Sequence, residues 1–412
     1  MPKKLLISAY SCQPNKGSEP GVGWAWVCEL ARLGHELHIL TRVNNRANIE
    51  CARDTIPNTQ NVHFIYYDLP TSFLKIQKIP FGIQMYYGLW QCGVYHVAKK
   101  LIKEIDFDYI QHVTFVCIRQ PSYLALLDKP FIFGPVGGGE AVPFRLRKHY
   151  SWSQWFTDLF RDVSNLFIRL DPRMWLMFSR SKHIFVTSEQ TKHLIPKRFH
   201  KKISTQLGIA LNQSEVSDFR VKMFNVDQGI KLLFMGRFLE WKGMGLGLKA
   251  FSEYSKRFPD ATLTMVGTGK AKILWEKLAV DLGVEDRLTW IDWVPKEEVD
   301  DLYLTHDVLL FPSLHDSGGM VVLEAMAHGL PIICLDIGGP GLIMGSEEVG
   351  NISIINKSER DIIKSLEASM VHYSHVSILN DVSKRMQEHS KRHTWTKLVE
   401  KVGVQIKSSI KL

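Results

Sequence analysis

Short apolar runs rich in β-branched residues alternate with longer amphipathic stretches, and midway along the chain this rhythm breaks and starts again. Strands separated by helices pair in parallel through βαβ crossovers, so each series predicts an open, doubly wound sheet. In the first series the strands are Lys4 to Ser8, His35 to Leu40, Val62 to Tyr67, Tyr109 to Val113, Phe131 to Phe133 and His183 to Thr187, with a helix over Gly23 to Leu33. The second has strands at Lys231 to Met235, Ala261 to Val266, Leu288 to Trp290, Val308 to Phe311 and Pro331 to Leu335. Helices over Gly247 to Phe258, Lys270 to Leu282 and Met320 to His328 separate them. Polar, flexible residues between Gln206 and Gly229 mark the seam. The expectation is an α/β protein of two Rossmann-like domains, residues 1–206 and 207–391. Ligands of such sheets bind beyond the carboxyl ends of the strands.

A length of 412 residues accommodates two such domains, and 45% hydrophobic with 23% charged residues is a globular balance. No apolar run approaches the ~18 residues of a membrane span. The opening MPKKLLISAY reads as a first strand rather than a leader, because polar residues follow Ile7 at once. Six scattered cysteines without CxxC spacing argue against a zinc site or disulfide framework and predict a reducing cytoplasm. A net charge of +9 suits an anionic partner or a merely basic enzyme, and no nucleic-acid recognition motif accompanies it.

Most of the chemistry lies in FPSLHDSGGMVVLEAMAHGLP, residues 311–331. A strand ends, Asp316 follows in a loop, and Gly318 and Gly319 bare the backbone before a helix opens at Met320 and Val321. Amides at a helix start carry the positive end of the macrodipole and suit a diphosphate or sugar hydroxyls. Glu324 sits among apolar neighbours, where a carboxylate needs a partner such as ribose hydroxyls; a capping Asp and a solvent-facing Glu are the plain alternative. Upstream, MGRFLEWKG (235–243) places Gly236, Arg237 and Lys242 after a strand, where two cations can stabilise charge on a departing phosphate. MVGTGKA (265–271) adds Gly267 and Gly269 at the next strand end.

These segments resemble glycosyltransferase family 4, the retaining, GT-B members of glycosyl transferases group 1. That family carries two glutamates separated by seven residues; here Asp316 and Glu324 have that spacing, followed by EAMAHGLP. Asp replaces the first Glu, and Ser317 and Gly318 stand where Gly and Phe are common. The resemblance implies that Arg237 and Lys242 neutralise the leaving diphosphate and Glu324 holds ribose. Asp316, Ser317 and the amides from Gly318 to Val321 then orient the donor sugar. It also implies that the last helix, 392–412, crosses back to the N-terminal domain. Front-face transfer without a metal or other cofactor follows, with the leaving phosphate taking the acceptor's proton.

The N-terminal half would receive the acceptor. SCQPNKGSEPGVGWAW (11–26) is a glycine-rich βα loop opening a helix; its resemblance to the family's loop implies that Gly17 or Gly21 to Gly23 approaches the diphosphate and Glu19 the acceptor. By the same resemblance His112, at a strand end, contacts the donor sugar, while Gly138, Gly139 and Glu140 in GPVGGGEAVP suit sugar-hydroxyl recognition. Aromatic and aliphatic residues from Trp152 to Leu170 form one helical stripe flanked by arginines. Such a stripe packs on a core or, within 144–182, lies on an anionic membrane. The reading is a hexosyltransferase using a UDP- or GDP-sugar and a saccharide or polyprenyl-linked acceptor in surface polysaccharide biosynthesis, cytoplasmic and peripheral at the inner face of the plasma membrane. Its rivals are a nucleotide-sugar epimerase of the same architecture and a non-catalytic sugar-nucleotide-binding scaffold.

Overall fold

A computed structural model describes residues 2–410 apart from 80, 149, 218–221, 223, 225, 227–228 and 346–349. Part of the expected seam and the last two residues of the expected terminal helix therefore lie outside the described residues. Contacts divide the chain into unit 1, Met1–Gly139, Asp162–Ile209 and Trp395–Leu412, and unit 2, Glu140–Arg161 and Ala210–Thr394. This division departs from a cut at 206: residues 140–161 and 392–394 cluster with unit 2, and residues 207–209 with unit 1.

In unit 1, β1 (Lys4–Ala9), α1 (Ser18–Arg32), β2 (Glu36–Thr41), α2 (Arg46–Ala52) and β3 (Val62–Tyr66) are followed by α3 (Gly82–Glu104), β4 (Tyr109–Thr114) and β5 (Phe131–Val136). Next come α4 (Trp152–Phe167), within which the unit boundary falls, α5 (Pro172–Arg180), β6 (Ser181–Val186), α6 (Glu189–Leu194) and β7 (Ile203–Thr205). The strand order is β3-β2-β1-β4-β5-β6-β7, and every neighbouring pair is parallel. Ile7 pairs with Ile39 on one side and Gln111 on the other, so β1 is central and buried on both faces.

Unit 2 runs α7 (Gln213–Ser217), β8 (Lys231–Met235), α8 (Met244–Ser255), β9 (Thr262–Val266), α9 (Lys272–Asp281), β10 (Leu288–Ile291), α10 (Lys296–Thr305) and β11 (Val308–Phe311). It continues with α11 (Met320–Ala327), β12 (Ile332–Leu335), α12 (Gly338–Met344), β13 (Asn351–Ile352), α13 (Glu359–His372) and α14 (Val376–Ser390). Its parallel sheet has the order β10-β9-β8-β11-β12-β13. The last helix, α15 (Trp395–Ile410), belongs to unit 1 and packs on α1 and β6.

Strand order reverses between β1 and β4 in unit 1 and between β8 and β11 in unit 2, the places where open sheets leave a crevice. Two expectations shift. α1 begins at Ser18 rather than Gly23, because Pro20 is tolerated in a first turn whose amides need no in-helix acceptor. The stripe on α4 faces outward: Trp152 is 79% and Leu166 64% exposed, so it is not core packing. Among the described residues no helix is long and apolar enough to cross a membrane.

Candidate active site

The unit 2 crevice is built by two loops that lock onto each other. After β8 the chain turns at Gly236 (φ 150°), passes Arg237 and Phe238, and makes a 3-10 turn over 240–242 that ends at Gly243 (φ 73°). A Cβ on Gly243 would lie 2.0 Å from the Pro312 carbonyl oxygen, so only glycine lets this turn rest on the loop after β11. The Leu314 amide donates to the Trp241 carbonyl at 2.8 Å across the same contact. Lys242 is thereby carried to Asp316: its Nζ lies 2.5 Å from Oδ2 and 4.8 Å from the centre of the Phe311 ring.

Asp316 has a second set of partners. Its Oδ1 accepts from the amides of Gly318 (3.0 Å) and Gly319 (3.1 Å), so these two amides, expected to meet the donor, are engaged by a side chain instead. The first in-helix bonds of α11 come from Val322 and Leu323 to the Gly319 carbonyl, which leaves the amides of Met320 and Val321 as the orphan donors at the helix head. Ser317, half-buried, lies between Asp316 and these glycines. Beneath them Gly338 and Gly339 of α12 approach so closely that a Cβ would sit 2.0 Å from the Asp316 oxygen and 2.1 Å from the Gly318 oxygen.

Glu324 is half-buried one turn into α11, and its Oε2 accepts a 2.9 Å hydrogen bond from the Tyr303 hydroxyl. Tyr303 is fully buried, and that burial together with the nearby Glu324 carboxylate raises its pKa well above the usual value, keeping the hydroxyl a donor. The same hydroxyl lies 3.7 Å from the Met235 sulfur, which ties Glu324 to the end of β8. Arg237 is exposed, and among the described residues no side-chain hydrogen bond or ion pair engages its guanidinium. Gly267 and Gly269 press on the β8 turn: Cβ atoms there would meet the Gly236 oxygen at 1.9 Å and the Phe238 oxygen at 2.2 Å. Their role is to let two strand-end turns stack.

Glu140 is fully buried and belongs to unit 2, with its Cγ 3.3 Å from a Cβ position on Gly338. His315 Nδ1 lies 2.7 Å from the Glu140 carbonyl oxygen, and burial lowers the His315 pKa to about 4. Gly138 and Gly139 stay in unit 1, where the Gly138 carbonyl accepts from Arg119 at 2.6 Å and the Gly139 amide donates to Thr191 Oγ1 at 3.1 Å. A cavity of ≈ 360 Å³ lies behind the 240–243 turn, lined by Leu246, Trp275, Leu278 and Leu314. Charged residues, among them Glu240 and Lys249, also line it, but Asp316 and Glu324 do not, so it is separate from that pair.

In unit 1 His112 lies on β4 beside the reversal point, 1% exposed. Its Nε2 is 3.1 Å from the Phe115 carbonyl oxygen, which can only accept, so Nε2 carries the proton and Nδ1 is a bare acceptor. Nδ1 has no partner among the described residues, and burial lowers the pKa to about 4. Glu19, in the first turn of α1, accepts from the Val116 amide and so ties α1 to the loop after β4. Gly17 is exposed with open space around a Cβ position, whereas Gly21 and Gly23 would meet the Lys16 and Ser11 oxygens at 2.0 and 2.1 Å. Glycine is therefore required at 21 and 23, not at 17. Among the described residues, one group, Glu36, His38 and His63 on β2 and β3, has the ligand types and spacing for a metal ion.

Residues 216–373 match the family of glycosyl transferases group 1. The matched stretch includes β8 to α13 and so contains Arg237, Lys242, Asp316 and Glu324. An uncharacterized glycosyltransferase of Methanocaldococcus jannaschii is 26% identical over 196 residues, 47% of this chain and 49% of that protein. A D-inositol 3-phosphate glycosyltransferase of Corynebacterium efficiens is 31% identical over 123 residues, 28% of this chain and 29% of that protein. The chain thus spans half or less of the curated relatives it matches. Solved structures extend the likeness: the lipopolysaccharide outer core galactosyltransferase WaaB has a TM-score of 0.63 at 13% identity, covering 99% of this chain and 100% of that one. Anabaena HepE in complex with UDP has a TM-score of 0.61 at 13% identity, covering 98% of this chain and 100% of that one. At that identity the likeness establishes the fold, which is GT-B.

Proposed function

We propose that this protein is a metal-independent, retaining hexosyltransferase of the family 4 type. It moves a sugar from a UDP- or GDP-sugar to a saccharide or lipid-linked saccharide in surface polysaccharide assembly. The domain of residues 207–391 takes the nucleotide sugar, and that of 1–206, completed by the 392–412 helix, takes the acceptor. The observation that carries this reading is a clamped cation, Lys242 on Asp316, together with Arg237, whose guanidinium no side chain engages among the described residues, both after β8 at the β8/β11 reversal. Neighbours of the same fold hold UDP or UDP-glucose, which supports a nucleotide sugar as co-substrate.

Arg237 and Lys242 meet the diphosphate and stabilise the charge that grows on it as the glycosidic bond breaks. The Met320 and Val321 amides add the helix-head dipole. Glu324, held by the Tyr303 hydroxyl, binds the ribose hydroxyls. Asp316 is fully engaged by Lys242 and two amides, so it organises the cradle rather than attacking the sugar. That favours a front-face path in which the leaving phosphate takes the acceptor's proton. His112 Nδ1 accepts from a donor-sugar hydroxyl. Residues 144–182 touch an anionic membrane at the inner face of the plasma membrane, since α4 carries its apolar stripe outward.

The test is nucleotide release from a panel of UDP- and GDP-sugars, with and without a chelator, by wild type and Lys242→Ala. Release that survives chelation and falls roughly a hundredfold in the variant is expected. Donor converted to an epimer without acceptor would make the protein an isomerase. Donor bound by both proteins with no turnover would make it a scaffold.

A further inference from the structure

We infer that a second surface of unit 1, the shoulder formed by residues 71–79 and 81–89, docks on an anionic lipid bilayer. It is separate from the stripe on α4 and does not depend on the transferase reading. The shoulder is the 3-10 segment Thr71–Lys78 and the first turns of α3. Ile79, Phe81, Ile83 and Met85 are 52%, 58%, 51% and 54% exposed, and Phe73 and Leu74 join them. Isolated exposed apolar side chains need no explanation, but a cluster along one continuous segment marks a contact surface.

These side chains cannot turn inward. Tyr86, Tyr87 and Trp90 already fill the inner face of α3 and are fully buried against the sheet. The entry to the helix is equally fixed: the Gly82 amide donates to the Ile79 carbonyl, and a Cβ on Gly82 would sit 1.7 Å from the Ile76 oxygen. The shoulder is thus a packed structure that holds its apolar side chains outward.

Charge identifies the occupant. From Leu69 to Lys103 the chain has no Asp or Glu, while Lys75 and Lys78 are exposed amid the apolar residues, with no ion pair among the described residues. Apolar side chains interspersed with unpaired lysines match an anionic headgroup layer over acyl chains. A second copy of this chain, at +9, would bring the same unbalanced charge and repel. The shoulder follows the carboxyl end of β3, the end of the sheet where ligands of such folds bind, so docking would hold that end against the lipid.

The experiment is flotation of the full chain with phosphatidylcholine vesicles, with and without phosphatidylglycerol. It uses wild type, Ile83→Ser with Met85→Ser, Lys75→Glu with Lys78→Glu, and Trp152→Ser with Phe156→Ser on α4. Val404→Ser, an exposed apolar site on α15, serves as control, and thermal melts confirm folding. Wild type should float only with phosphatidylglycerol. Each shoulder pair should lower the partition coefficient about tenfold or more, independently of the α4 pair, and the control should not change it. Shoulder variants that partition like wild type would overturn the inference. So would a concentration-dependent dimer in solution that the shoulder variants abolish.

Discussion

Asp316 ties a cation to a helix head with a single carboxylate, and each of its oxygens has a different task. Asp316→Asn keeps the amide bonds and loses the charge that holds Lys242, so donor turnover should fall more steeply than donor affinity, a kcat effect read in steady-state kinetics. Tyr303→Phe removes the bond that aims Glu324 and should raise the donor KM about tenfold with little change in kcat, since a hydrogen bond to a charged group is worth ~1.5 kcal/mol or more. His112 and His315 are both held neutral by burial, with pKa values lowered to about 4. The unfolded chain takes up these protons near pH 6.5 and the folded one only near 4, so stability is full above that window and is lost as pH falls through it. His112→Gln should flatten the pH dependence of the melting temperature there; an unchanged slope would contradict its neutral state. The Asp316–Glu324 spacing was legible in the sequence because both residues sit on one strand–loop–helix unit. Tyr303 was not: it lies on another helix and reaches Glu324 only through tertiary packing.

Elements were readable where a single face decides them. The apolar runs Leu232–Met235, between Lys231 and Gly236, and Val308–Phe311, between Asp307 and Pro312, form the strands Lys231–Met235 and Val308–Phe311. α3 was not placed because apolar and aromatic residues occur on both its faces, which erases the helical period; the structure puts one set in the core and leaves the other in solvent. The stripe on α4 was visible, but periodicity alone cannot tell a core from a lipid surface. α15 is held to unit 1 by Leu398, Val399, Val402 and Ile406, all buried, and by the edge contact of Trp395 with Trp26 at 6.2 Å. Trp395→Ala should cost about 3–5 kcal/mol and lower the melting transition of unit 1. Melting equal to wild type would show that the helix is not part of that unit's core.

At the scale of the molecule, the repeated βα pattern announced two parallel sheets, and both formed with a reversal point beside the central strand. The contact division was less legible: unit 1 is assembled from three stretches of chain, and residues 140–161 join unit 2 through bonds such as that of Ser151 Oγ with the Glu240 carboxylate. Such pairings join residues far apart in the chain and have no periodic signature. The central claim, that two cations and a helix head hold one diphosphate in unit 2, is tested most directly by calorimetric titration of UDP and GDP. The proteins to compare are wild type and Arg237→Ala with Lys242→Ala. One nucleotide should bind wild type in the absence of metal and lose roughly a hundredfold in affinity or more in the variant. Equal affinity in the two proteins would contradict the account.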